Sequence, residues 1–160
     1  MKDYLIDGNN LIGKIPNLQS FQKKDKESAR ERLVLLLERY FHSRKIRVTI
    51  YFDGYRNSGI KTNAFKINYS DSKTADEIIK KDISLSKNPR NLIVVSSDNE
   101  IAGFAKVCAC EVILSEKFYE TIVNENGRDR GNEVKLENEK IDELSKSNSE
   151  FVKLFGVDGK

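Results

Sequence analysis

Three apolar runs in this chain each lead into an aspartate, and a fourth aspartate opens the helical stretch that follows another such run. Tyr4-Leu5-Ile6 meets Asp7, Val48-Thr49-Ile50-Tyr51-Phe52 meets Asp53, and Leu92-Ile93-Val94-Val95 reaches Asp98 through Ser96 and Ser97. Asp76 follows Phe65-Lys66-Ile67-Asn68-Tyr69. Runs of this length, rich in β-branched residues, read as buried parallel strands. In an open parallel sheet the C-terminal strand ends line the ligand crevice. Carboxylates gathered there repel one another unless a cation neutralises them, which points to a hard divalent metal and to phosphate chemistry.

The same patterning predicts strands over 3–6, 47–52, 64–69, 92–96 and 111–114, the third short and at an edge. Residues 9–16 read as a short helix or loop, and Phe21 to Lys26 as a polar, basic loop. Ser28-x-x-Glu31 has the form of a capping box for a helix whose apolar face is Ala29, Leu33, Leu36, Leu37, Tyr40 and Phe41, with Arg30, Arg32 and Arg39 off that stripe. Thr74-x-x-Glu77 opens another helix, with Ile78, Ile79 and Ile83 as its buried face and Asn88-Pro89 as its stop. Further helices are expected through Ile101, Phe104, Ala105 and Cys108, and through Phe118 and Ile122. The alternation indicates a three-layer α/β/α sandwich on a mostly parallel five-stranded sheet. The expected organisation is a domain over 1–123, a flexible connector over 124–138, and a final helix within 139–160 that packs on the same domain.

At 160 residues the chain suits one domain with a proper core. A hydrophobic content of 38% beside 33% charged residues describes a globular, water-soluble chain. Its apolar runs fall far short of the ~20 residues a membrane-spanning helix needs. Met1-Lys2-Asp3-Tyr4 leads straight into a strand without a signal-peptide hydrophobic region, so a cytoplasmic location and no membrane partner are expected. Cys108 and Cys110, one residue apart, suit neither a mutual disulfide nor a zinc site. With His42 as the only histidine, a histidine-rich metal site or a Ser-His-Asp triad is disfavoured. The net charge of +3 conceals a basic excess in residues 1–90, the part that supplies Asp7, Asp53 and Asp76. A polyanion near an acidic metal site needs such a surround, and a solvated surface explains it equally well.

Each aspartate also has a structural explanation. Asp7 and Asp53 precede glycines and suit Asp-Gly turns, Asp98 suits an N-cap, and Asp76 lies in a helix's first turn. Such roles do not predict convergence of all four on one rim. The chemistry that uses a converged set is metal-assisted phosphodiester hydrolysis, in which a metal generates the attacking hydroxide and neutralises charge on the phosphorus oxygens.

Leu5-Ile6-Asp7-Gly8-Asn9-Asn10-Leu11-Ile12 resembles the opening strand and turn of NYN-domain nucleases of the PIN-like group. The likeness continues with Tyr51-Phe52-Asp53, Lys73-Thr74-Ala75-Asp76-Glu77-Ile78-Ile79 and Val94-Val95-Ser96-Ser97-Asp98. Order and spacing are most similar to the YacP-type branch over about residues 3–120. The resemblance implies an acidic site on Asp7, Asp53, Asp76 and Asp98 that holds Mg²⁺ or Mn²⁺ and cleaves single-stranded RNA endonucleolytically. It makes Asn10 the turn residue that braces Asp7 and Ser97 a small hydroxyl beside Asp98. Glu77 falls where an outer carboxylate would stand, although its capping role accounts for it fully. The family usually has an aromatic residue where Asn9 stands here.

RNA is the partner this resemblance implies, and members of the branch are associated with RNA processing and translation, which brings in the ribosome. Tyr55 and Arg56, just after Asp53, suit stacking on a base and pairing with a phosphate. Lys61 and Lys73 suit a path for the backbone, and ordinary solvated lysines explain them as well. The other reading is a non-catalytic RNA- or ribosome-binding module on the same scaffold.

Overall fold

The computed structural model describes residues 1–56 and 59–125. They form β1 (Lys2–Asp7), α1 (Gly8–Ile12), α2 (Pro16–Lys24), α3 (Lys26–Phe41), β2 (Ile46–Phe52), β3 (Lys66–Tyr69) and α4 (Ala75–Leu85). There follow a 3₁₀ turn (Pro89–Asn91), β4 (Leu92–Val95), α5 (Asn99–Val107) and β5 (Glu111–Ile113). Residues 115–125 are helical as well. Met1–Tyr119 is one compact unit, and a second begins at Glu120. The expected connector and final helix lie outside the described residues, except 124 and 125, which continue the helix from 115.

All five strands are parallel, in the order β3-β2-β1-β4-β5. The chain moves outward from β1 on one side through β2 and β3, then returns to lay β4 and β5 on the other. The order therefore reverses between β1 and β4, and a crevice at such a reversal opens beyond the carboxyl ends of the strands. Asp7 is the last residue of β1, directly at that point.

Alternation along the strands feeds two cores. Leu5, Tyr51 and Val94 pack with Ala75, Ile79 and Ile83 of α4 and Ile101 and Ala105 of α5. On the opposite face, the Tyr4 ring lies 4.8 Å from that of Phe41 and 6.1 Å from that of Phe118, linking β1 to α3 and to the helix that starts at 115. These are the outer layers of the expected sandwich.

Two local expectations are corrected. Residues 21–26 are not a loop, because α2 runs from Pro16 to Lys24. Pro16 is preorganised for the first turn, and α2 gains its support from α3, where the Arg32 guanidinium stacks 4.1 Å from the Phe21 ring centre. The N-cap of α3 is Asp25, which accepts from the amides of Glu27 and Ser28 and from the Ser28 hydroxyl, so the Ser28 box is not the start. The Thr74–Glu77 capping box of α4 is present as read.

Candidate active site

The acidic rim is built on the turn that leaves β1. Asp7 ends the strand and Gly8 begins α1 at once, without the left-handed backbone an Asp-Gly turn would need. Gly8 is required by contact instead. A Cβ there would fall 2.5 Å from the Phe52 ring and 2.7 Å from the Tyr51 carbonyl oxygen. The next two residues use their side chains as clamps. Asn9 Oδ1 accepts from the Asp53 amide at 2.7 Å, while Asn10 Oδ1 accepts from the Ser97 amide at 2.9 Å and from the Ser115 hydroxyl at 2.6 Å. Two successive asparagines thus tie the end of β1 to the ends of β2, β4 and β5.

Asp7 is buried, with Ser96 Oγ donating to its Oδ2 at 2.9 Å. Its pKa is raised from 3.8 to about 6, first by burial, then by the charges of Asp53 and Asp98, against the opposing bonds from Ser96 and the Asn10 amide. Asp53 is exposed but fixed. Its Oδ1 accepts from the Ala75 amide at 2.7 Å, and its carbonyl oxygen accepts from Arg30 Nη2 at 2.5 Å. Asp98 is the N-cap of α5, its Oδ1 accepting from the amides of Glu100 and Ile101 at 2.9 and 3.2 Å. Asp76 is half-buried in the first turn of α4. Its pKa is raised by burial, lowered by Lys80, and raised again by Asp98 and Glu100.

The four aspartates therefore share one rim and feel one another's charge, Asp7 with Asp53 and Asp98, and Asp76 with Asp98. They are not drawn into one shell. Among the described residues, no three His, Cys, Asp or Glu side chains are grouped so as to hold an ion. The donor set fits a hard divalent cation in chemistry, since every candidate ligand is a carboxylate oxygen. The electrostatics fit as well, because Asp7 is a buried acid among acids. Asp76 Oδ1 is buried and faces the ammonium of Lys80, 3.3 Å away.

The remaining expected residues divide. Glu77 closes its capping box, its Oε2 accepting from the Thr74 amide at 2.9 Å. Asn10 braces Asp7 through its backbone amide, and its side chain serves β4 and β5. Ser97 is turned away from Asp98, with its hydroxyl donating to Glu116 and accepting from the Ser115 amide. The hydroxyl beside the acids belongs to Ser96, which joins Asp7 to Asp98 by accepting from the Asp98 amide at 3.0 Å. Tyr55, Arg56, Lys61 and Lys73 are all exposed.

Asn9, Arg30, Lys80 and Glu100 are site neighbours that sequence reasoning passed over. The stripe expected for α3 leaves Arg30 outside it, yet Arg30 is buried, with its guanidinium 5.1 Å from the Phe52 ring centre and 5.7 Å from that of Tyr69. The signal was present, since Arg30, Leu33, Val34, Leu37 and Phe41 follow a helical spacing. Val34 completes that stripe, while Leu36 is only half-buried.

The sequence profile described as the YacP-like NYN domain matches residues 4–153. The chain belongs to this family. Among solved structures, Rae1 (YacP) from Bacillus subtilis is similar at 22% identity with a TM-score of 0.70, covering 98% of this chain and 93% of that one. The W164L mutant of the same protein gives a TM-score of 0.66 at 22% identity, over 79% of this chain and 77% of that one. No curated protein matches the sequence. The likeness to these structures establishes the PIN-like fold of this NYN domain. Among the described residues no helix is long and apolar enough to cross a membrane.

Proposed function

We propose that this YacP-like NYN domain is a metal-dependent endoribonuclease that hydrolyses single-stranded RNA in the cytoplasm, with residues 1–123 as its nuclease domain. The observation that carries the reading is Asp7, a buried carboxyl at the sheet's point of strand reversal whose pKa is raised to about 6. A protein keeps an acid there at a cost to its own stability, and a function that needs concentrated negative charge explains the cost. Asp7 would anchor Mg²⁺ or Mn²⁺, with Asp53, Asp76 and Asp98 completing its surroundings. When bound, such an ion activates water and neutralises charge on the phosphorus oxygens.

The chain's own groups supply the rest. Ser96 holds Asp7 Oδ2 in one orientation, and Asn9 and Arg30 fix the Asp53 backbone, so the acids are held in place to receive a cation. Tyr55 and Arg56, exposed just beyond Asp53, suit a base and a phosphate of the RNA, and Lys61 and Lys73 extend that path. A ribosome as the place where RNA is presented agrees with the family and with the basic excess of residues 1–90.

One observation favours a second reading. Asp53 and Asp98 both spend an oxygen on backbone amides, a structural duty a metal-free RNA-binding module would also need. Cleavage of labelled single-stranded RNA with Mn²⁺, Mg²⁺ or EDTA separates the two. The nuclease reading expects metal-dependent products that vanish in folded Asp7→Asn and Asp98→Asn. RNA binding that is salt-dependent, indifferent to metal and unaccompanied by cleavage would establish the module instead.

A further inference from the structure

Lys80 lies one turn beyond Asp76 on α4, and its ammonium makes two ion pairs, one within α4 and one across to α5. Nζ is 3.3 Å from Asp76 Oδ1 and 3.2 Å from Glu100 Oε2. Neither Asp76 nor Lys80 is fully solvated, with side chains 28% and 31% exposed. Asp76 Oδ1 is shielded from water, and this ammonium is the cation it faces. Asp98 adds negative charge from the start of α5. Acids from two helices, Asp76 and Glu100, thus meet at one lysine on this side of the rim.

Asp7 differs in kind. Its hydrogen-bond donors are the neutral Ser96 hydroxyl and the Asn10 amide, and the charged neighbours that act on it are the acids Asp53 and Asp98. A lysine ammonium is a compact point charge, able to stand where a divalent ion would otherwise be drawn. We propose that Lys80 is the resident cation of the α4–α5 side of the rim and restricts the site to a single divalent ion, held on the Asp7 side. This inference rests on the metal-dependent reading above and adds to it the number of ions and the residue that sets it. A helix pair of this spacing also forms for purely structural reasons, but a structural pair would leave metal stoichiometry unchanged when removed.

The test is Mn²⁺ binding to the whole chain without RNA, by calorimetric titration and by the electron paramagnetic resonance signal of free Mn²⁺. Wild type and Lys80→Arg, which keeps the charge, are expected to take one ion. Lys80→Met and Lys80→Gln are expected to take two, and adding Asp76→Asn should remove the second ion only. Circular dichroism and thermal melting check that each variant is folded, and two neutral replacements guard against a defect of either alone. Equal stoichiometry in wild type, Lys80→Met and Lys80→Gln, with affinities within about two-fold, overturns the proposal. A wild type that binds no Mn²⁺ sinks the metal-dependent reading instead. Lys80 is then judged by whether its neutral variants gain an ion the wild type lacks.

Discussion

The two sides of the acidic rim hold their carboxylates by different means. On the β1–β2 side, the carboxylates of Asp7 and Asp53 accept from the neutral Ser96 hydroxyl and Ala75 amide, while the Asn9 amide oxygen and the Arg30 guanidinium hold the Asp53 backbone. On the α4–α5 side, Asp76 and Glu100 meet Lys80 directly. Hydrogen bonds from neutral donors orient a carboxylate but cancel little of its charge, whereas an ammonium cancels it. The first side is therefore fixed by bonds that leave its charge in place, whereas on the second Lys80 offsets part of the charge of Asp76 and Glu100. The demand for an external cation arises on the first.

Rigidity can be broken most sharply at Gly8. Its missing Cβ lets the start of α1 lie against Phe52 and Tyr51, and the contact at 2.7 Å is with backbone, which cannot swing aside. Gly8→Ala should destabilise the fold by roughly 1–3 kcal/mol, or more if β2 cannot shift. It should also disturb the Asn9–Asp53 clamp. Urea denaturation measures the loss, and an unchanged midpoint would mean the close approach is not structural.

The charge deficit is tested by Asp7→Asn in metal-free protein. Folding raises the Asp7 pKa from 3.8 to about 6, so between these values the folded chain binds more protons than the unfolded one. This group's contribution to stability is therefore present in acid, falls as pH rises through that window, and stays low above it. The amide carries no such penalty. Asp7→Asn should then be more stable than wild type near neutral pH by roughly 1–3 kcal/mol, with the difference shrinking towards about pH 4. Paired denaturation curves across pH would show this. A constant difference would mean that Asp7 is not the group at a disadvantage, and saturating Mn²⁺ should narrow the gap by stabilising only the wild type.

Much of this arrangement was legible in the sequence because it depends on short-range patterns. Apolar runs named the five strands, and Thr74 with Glu77 named the start of α4. The shared rim of the aspartates followed once the strands were parallel. What escaped depended on partners distant in sequence. Asn9 and Asp53 are 44 positions apart, and Ser96 and Asp7 are 89 apart. Nothing in Ser96-Ser97 tells which hydroxyl turns towards the acids until β4 is laid beside β1. Arg30 was hidden for another reason, since a charged residue on an apolar stripe is usually a snorkelling one, and here stacking on Phe52 and Tyr69 keeps it inside. Helix α2 was missed because its sequence is polar and only Leu18 is buried, so its support comes from α3 rather than from its own pattern.

The smallest effect expected is at Glu100, and its smallness sharpens the contrast between the two sides. Its side chain is 75% exposed, so its pair with Lys80 works through water and salt. Glu100→Gln should shift the melting temperature by no more than about 2 °C, and less still at high salt. It should nonetheless loosen the ammonium from the α5 side, leaving Asp76 as the partner that holds it. The sensitive measurement is the Lys80 Nζ resonance followed by NMR, where loss of Glu100 should lower the lysine pKa, because the bond to Glu100 is the largest factor raising it. An unmoved pKa would assign the compensation on that side to Asp76 alone, and the α5 helix would then contribute to the rim only through Asp98.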